Sequence, residues 1–240
     1  MLVVAGAAVG SVLAAPGNDV FPGVPISGET GSVLGSNVDA TGENGEPAAL
    51  NAVSVWYWWT APPSGGPMCF ITSQRSYDPV LGVWTGTGVN NLTLVGFDDD
   101  ISYQNGLDVR AGVAFTAAPG TTYRVGIGGA ISALGSTGTF TLNWGAGCLP
   151  PDTYIDSLVP GKNAATLTFH GTDDLTPASG LTFECRLDFG GAWVPCTSPY
   201  TFTGVSGGFH AFFVRATDGN GNVDLTLARA NGAVKGAKSR

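Results

Sequence analysis

The chain has 240 residues, enough for one large domain or two ordinary ones with a real core. Charged residues make up only 12%, about half the ~25% of typical soluble domains, while 37 glycines and 15 prolines are close to double ordinary usage. A net charge of −8 argues against nucleic acid or an anionic membrane surface as partner, since both attract basic patches, and suits cations or neutral polymers such as glycans.

Met1 to Ala15 is an apolar run of small residues followed by Pro16, and it reads as the remnant of a secretion signal, 1–15, without the usual basic residue in front. About fifteen residues are too few for the ~20 that a membrane span needs, and no later segment comes closer. The expectation is a secreted or cell-surface chain with no membrane span.

From 18 to 148 the sequence gives short runs bounded by Gly, Asn and Pro: Ser32 to Val38, Ser54 to Thr60, Cys69 to Ser73, Val80 to Thr85, Leu92 to Phe97, Val113 to Ala117, Thr122 to Ile127 and Gly138 to Trp144. Such spacing predicts an all-β sandwich or jelly roll, and no run has helical periodicity. The richest is Val55-Trp-Tyr-Trp-Trp-Thr60. Alternation along a strand puts Trp56 and Trp58 on one face and Tyr57 and Trp59 on the other. Trp56 and Trp58 are assigned to the core, leaving Tyr57 and Trp59 partly exposed as a ring platform on which a sugar would stack.

The turn Asp98-Asp-Asp100 follows closely, with Asp78 and the glutamates Glu43 and Glu46 in other loops. Consecutive carboxylates repel, and a calcium ion, which takes six to eight oxygens, would relieve that repulsion. Asp78, Asp98, Asp99 and Asp100 are therefore the candidate metal ligands, against the simpler alternative of a solvated turn. No cofactor is otherwise required.

Pro150-Pro151 within 149–152 reads as a linker, because consecutive prolines stiffen the chain and cannot continue a central strand. Beyond it, Ala165 to Phe169, Leu181 to Leu187, Trp193, Tyr200 to Thr203, Phe209 to Thr217 and Val223 to Thr226 predict an immunoglobulin-like sandwich over 153–228. The polar, basic tail 229–240 is expected to be disordered. Asp218-Gly-Asn-Gly-Asn-Val-Asp224 alternates acids and amides like a calcium loop. Its sixth position is Val223 where the sharp turn wants Gly, and its twelfth is Arg229 where a bidentate Glu belongs, so it reads as a hairpin turn. Gly204-Val-Ser-Gly-Gly208 with nearby His210 fits the pattern of a nucleophile elbow. An elbow needs a helix after the turn, and Phe209 to Val214 reads as a strand.

Cys69, Cys148, Cys185 and Cys196 allow three disulfide connectivities. Their spacing favours Cys69 with Cys148 and Cys185 with Cys196. The lack of a C-x-x-C pair speaks against zinc or a redox site.

Several ordered segments carry a resemblance. Asn18-Asp-Val-Phe21, Ala40-Thr-Gly-Glu-Asn-Gly-Glu-Pro47, Ser54 to Pro62, Tyr77-Asp-Pro-Val-Leu-Gly-Val-Trp-Thr-Gly86, Asp98-Asp99 and Gly120-Thr-Thr-Tyr-Arg-Val125 make the first region resemble the bacterial pre-peptidase C-terminal-like jelly roll. Tyr77, Pro79 and Trp84 depart from that family's usual residues while keeping aromatic or turn character. Gly171-Thr-Asp-Asp174, Phe183-Glu-Cys-Arg-Leu-Asp188, Pro195 to Pro199 and His210 to Asp218 make the second resemble bacterial immunoglobulin-like repeats of secreted surface proteins. The resemblance implies non-catalytic accessory, adhesive or stalk-like modules and names no ligand; the expectation set beside it is of monomeric modules that bind, adhere or space, with extracellular glycan, matrix or another surface protein as partner. The competing implication is an accessory fragment of a longer secreted hydrolase, a protease or glycosidase.

Overall fold

A computed structural model describes residues 14–101, 109–131 and 135–236. The expected signal remnant lies outside the described residues up to 13, as does the tail beyond 236. The described chain is built of strands with three short 3-10 turns, which makes it all-β.

Two sheets come entirely from residues before 146. One has the order β1 (Val24–Pro25), β3 (Val55–Thr60), β8 (Thr122–Gly129), β5 (Pro79–Thr85) and β6 (Thr93–Asp98). The other has the order β2 (Gly31–Ser36), β9 (Thr139–Gly145), β4 (Gly66–Ser73) and β7 (Gly112–Ala117). Their inner faces meet in one core, where Val55, Tyr57, Trp59, Val83, Val125 and Ile127 pack against Phe70, Val113, Phe140, Leu142 and Trp144. Burying such rings from two interleaved faces is the main driving force for a sandwich.

The remaining sheets come entirely from residues after 151. One runs β10 (Asp152–Pro160), β11 (Ala164–Thr172), β14 (Tyr200–Thr203), and the other β13 (Val194–Cys196), β12 (Thr182–Leu187), β15 (Gly208–Thr217), β16 (Ala228–Val234). Leu167, Phe169, Phe202, Phe212 and Val214 fill the space between them, beside the Cys185–Cys196 disulfide.

Three expectations are corrected here. Strand β10 lies beyond the predicted runs, because Asp156 and Ser157 interrupt its apolar pattern where a bulge shifts the register between Ile155 and Ser157. The tail is not disordered from Arg229: Ala228, Ala230, Gly232 and Val234 alternate with Arg229, Asn231 and Ala233 along β16, which pairs antiparallel with β15. Its period of two is hidden because the alternating residues are small. Val223 to Thr226 is not a strand; Val223 makes only an isolated bridge to Thr217.

A further correction concerns β3. Tyr57 and Trp59 are 3% and 2% exposed, so they form no open platform, and Trp58 is half-buried instead of core. Both faces of β3 are covered. Val55, Tyr57 and Trp59 point into the main core, and Trp56 packs on the opposite face with Leu50, Val80, Trp84 and Ala130. The Phe21 and Trp84 rings lie 5.3 and 5.5 Å from Trp56.

That second core exists because loops fold back over the sheet. The Trp56 amide donates to the Asn18 carbonyl at 2.8 Å, and β1 lies parallel along the β3 edge, removing an exposed strand edge. Glu46 accepts from the Trp56 indole at 2.8 Å and from the Ser54 hydroxyl at 2.6 Å, while Glu43 accepts the Phe21 amide at 2.6 Å. Asp19 takes the Thr41 amide at 2.6 Å and its hydroxyl at 2.9 Å. Gly128 makes room for this cover: a Cβ there would sit 2.3 Å from the Leu50 carbonyl oxygen.

Replacing Glu46 by Ala leaves the buried indole N–H without an acceptor, which costs about 1–3 kcal/mol. Urea unfolding of Glu46→Ala should show a lower midpoint at unchanged slope together with altered tryptophan emission. An unchanged midpoint and spectrum would mean that the cover is not held by this contact.

Candidate functional site

The acidic turn lies where β6 ends, and the structure draws Asp78, just ahead of β5, into its field. Asp98 Oδ2 accepts the Gly112 amide at 2.9 Å. Burial raises the Asp98 carboxyl above the usual carboxylate range, opposed by that hydrogen bond. Asp99 is raised by burial and then by the Asp78 charge. Asp100 is raised by burial, then by Asp78, Asp99 and Asp98, with Arg75 acting in the opposite direction. Asp78 is 7% exposed, and the Oδ1 atoms of Asp78 and Asp100 are buried with no hydrogen-bond partner.

Even so, among the described residues no group of three or more His, Cys, Asp or Glu side chains is arranged to hold a metal ion. Glu43 and Glu46 are engaged in holding the cover over Trp56. What remains is a crowded set of like charges that a proton relieves as well as a cation does.

The sign of the pH dependence follows from the raised values. A carboxyl whose pKa is higher folded than unfolded contributes stability below the unfolded value of about 3.9, and that contribution is lost as pH rises through the folded value. Asp100→Asn should therefore raise the melting temperature at pH 7, with the advantage shrinking as pH falls toward about 4. A gain that is absent at pH 7, or equal at both pH values, would contradict the crowding.

The second candidate, Asp218 to Asp224, turns out to be a clamp between the two halves of the chain. Asp218 Oδ1 accepts the amides of Asn220 and Asn222 at 2.9 and 2.7 Å, and its Oδ2 accepts the Asn222 side-chain N–H at 2.7 Å. Asp224 Oδ2 accepts the Thr153 amide at 2.9 Å, and its Oδ1 accepts the Thr226 amide at 2.8 Å. These carboxylates are 6% and 1% exposed. With them so engaged, the Asn220 and Asn222 side chains are fixed in position to donate to the Gly147 carbonyl at 2.8 and 3.0 Å. Cys148, the next residue, is bonded to Cys69 on β4, so the connecting segment is gripped from both sides.

This role is not legible in the sequence, since an Asn-rich turn looks alike whether its amides face water or a carbonyl. The disulfides Cys69–Cys148 and Cys185–Cys196 form as spacing suggested, leave no free thiol, and fit an oxidising compartment.

At the Gly204 to Gly208 turn, His210 Nδ1 lies 2.8 Å from Asp188 Oδ2, and its Nε2 lies 3.2 Å from Ser206 Oγ and 3.1 Å from the Ser206 carbonyl. The residue types are those of a hydrolase triad, but the turn leads into strand β15 and not into a helix. Asp188 and the Ser206 carbonyl both raise the His210 pKa. Protonated, the imidazole donates to each of them, which ties the end of β12 to this turn and leaves no free base.

A cavity of about 200 Å³ opens beside Trp59, lined by Glu29, Pro62, Met68 and Ala117 among others. The Trp59 indole donates to the Gly28 carbonyl at 2.8 Å. Among the described residues no helix is long and apolar enough to cross a membrane.

No protein-family model matches the chain, and no curated protein matches it. Solved structures with a similar arrangement include the fibronectin(III)-like modules of Clostridium thermocellum CbhA, at 14% identity and a TM-score of 0.32, over 87% of this chain and 97% of that one. A β-1,2-glucanase from Parabacteroides distasonis matches at 10% identity and a TM-score of 0.28, over 71% of this chain but only 28% of the glucanase. The chain is an all-β protein whose sheets form sandwich-like arrangements.

Proposed function

We propose that the chain is a pair of non-catalytic extracellular modules, 18–148 and 153–228 extended by β16 to Val234, that bind and space at or beyond the cell surface. The observation that carries this reading is the gripped junction: a disulfide holds Cys148 on one side, and Asn220 and Asn222 hold the Gly147 carbonyl on the other. A fixed junction transmits position, which is what a spacer must do; default interdomain linkers leave relative motion free. Engagement of the acidic, aromatic and histidine groups in structural contacts supports the absence of catalysis. Glycan, matrix or another surface protein is the partner class, and calcium remains a proposed stabiliser at the Asp78 and Asp98 to Asp100 turn. Service as an accessory part of a longer secreted hydrolase is compatible with the same geometry.

Small-angle X-ray scattering tests the spacer directly. The wild-type profile should fit one rigid arrangement, and Asn220→Ala with Asn222→Ala should broaden the distance distribution while each half stays folded by circular dichroism. A wild-type chain already fitted only by a broad ensemble, or a variant with an unchanged profile, would overturn the spacer.

A further inference from the structure

Three of the ten basic residues stand together on the outer side of the sheet formed by β13, β12, β15 and β16. Arg186 on β12, Phe213 on β15 and Arg229 on β16 are paired in register across neighbouring strands. The Arg186 guanidinium lies 4.5 Å from the ring centres of both Trp193 and Phe213. Arg229 lies 4.9 Å from Phe189, and Arg215 lies 4.3 Å from Trp193. Cations and rings thus alternate across the face.

These guanidiniums are not equivalent. Arg215 is closed by Glu184, whose Oε2 accepts from its Nη2 at 2.6 Å and its Nε at 2.8 Å. Arg186 and Arg229 make no ion pair with a carboxylate among the described residues. Arg186 Nε is buried without a hydrogen-bond partner, with the Trp193 and Phe213 rings flanking the guanidinium, and Arg229 Nε donates to Asn231 Oδ1 at 3.1 Å. Stacking uses the face of a guanidinium and leaves in-plane N–H groups for an oxyanion. Beside them Phe189 is 67% exposed, and Phe209 on the same side of β15 is 74% exposed.

We propose that this face binds a linear polysaccharide carrying a carboxylate on its sugar rings, a uronate polymer. The proposal rests on the extracellular-binding reading above and gives it a surface and a ligand class. Neighbouring strands lie ~4.8 Å apart, so Arg186 and Arg229, two strands apart, hold their backbones roughly 10 Å from each other. That spacing suits separate carboxylates on a chain of sugars, whose apolar ring faces match the exposed Phe189 ring. Charge density decides against nucleic acid. A duplex carries one negative charge per ~1.7 Å, and most of those charges would face a chain of net charge −8 instead of these two arginines.

The test is affinity electrophoresis of the full chain through gels containing polygalacturonate, a neutral galactan, heparin or DNA. Wild-type protein should be retarded by polygalacturonate in a salt-sensitive way, and by heparin or DNA no more strongly. Arg186→Gln with Arg229→Gln should weaken that retardation by at least about tenfold, the loss expected for one or more charge-assisted hydrogen bonds. Phe189→Ala, a surface change that leaves the arginines in place, should weaken it as well, and melting curves confirm that each variant is folded. Retardation by polygalacturonate that survives both variants overturns this surface while leaving extracellular binding intact. Binding of galactan alone overturns the uronate, and stronger binding of heparin or DNA replaces it with a denser polyanion. No retardation by any polymer overturns the surface and the glycan-binding reading together.

Discussion

The arrangement of the first sandwich depends on burying both faces of one strand. Strand β3 carries Trp56, Tyr57, Trp58 and Trp59 in succession, and a strand has only two sides. The facing sheet covers Tyr57 and Trp59. Nothing regular is available for Trp56, so the chain before β2 and the loop from 43 to 50 fold over it. Loops lack a ladder of their own and must be held by side chains, and here Asp19, Glu43 and Glu46 do so. Asp19, Glu43 and Glu46 are therefore part of the cover of the aromatic strand, and Trp56 and Trp59, both buried, are closed to a ligand.

The second sandwich uses the same residue types differently. Its Asp and Asn residues at 218–224 stabilise a turn whose amides then reach back to the connecting segment, and the disulfide at Cys148 fixes that segment to β4. Its arginines are stacked between rings on an outer sheet face, where two of them keep hydrogen-bonding capacity. The junction at one end of the 218–224 turn and the arginine and aromatic face thus lie on different surfaces of the fold.

The fold class was legible because strands are short, turns are rich in Gly and Asn, and period-two alternation is strong in runs such as Val80 to Thr85. Elements that failed to show did so for identifiable reasons. A bulge breaks the pattern of β10, and small residues hide that of β16. The site was less legible. Sequence alternation separates Trp56 from Tyr57 but cannot say that both sides are covered, since the covering loop is distant and irregular. Nor can it distinguish a carboxylate that waits for an ion from one, such as Asp218, that closes on its own backbone amides. The arginine and aromatic face arises from registry between β12, β15 and β16, three strands separated by long stretches of chain.

On this reading the 218–224 turn is a permanent clamp and not a calcium loop. Hydrogen exchange of the Thr153, Asn220 and Asn222 amides measures it most directly, because each donates to a carboxylate of the clamp. A permanent clamp requires slow exchange at all three amides, equal in calcium and in chelator. Fast exchange, or protection that appears only when calcium is added, would contradict it.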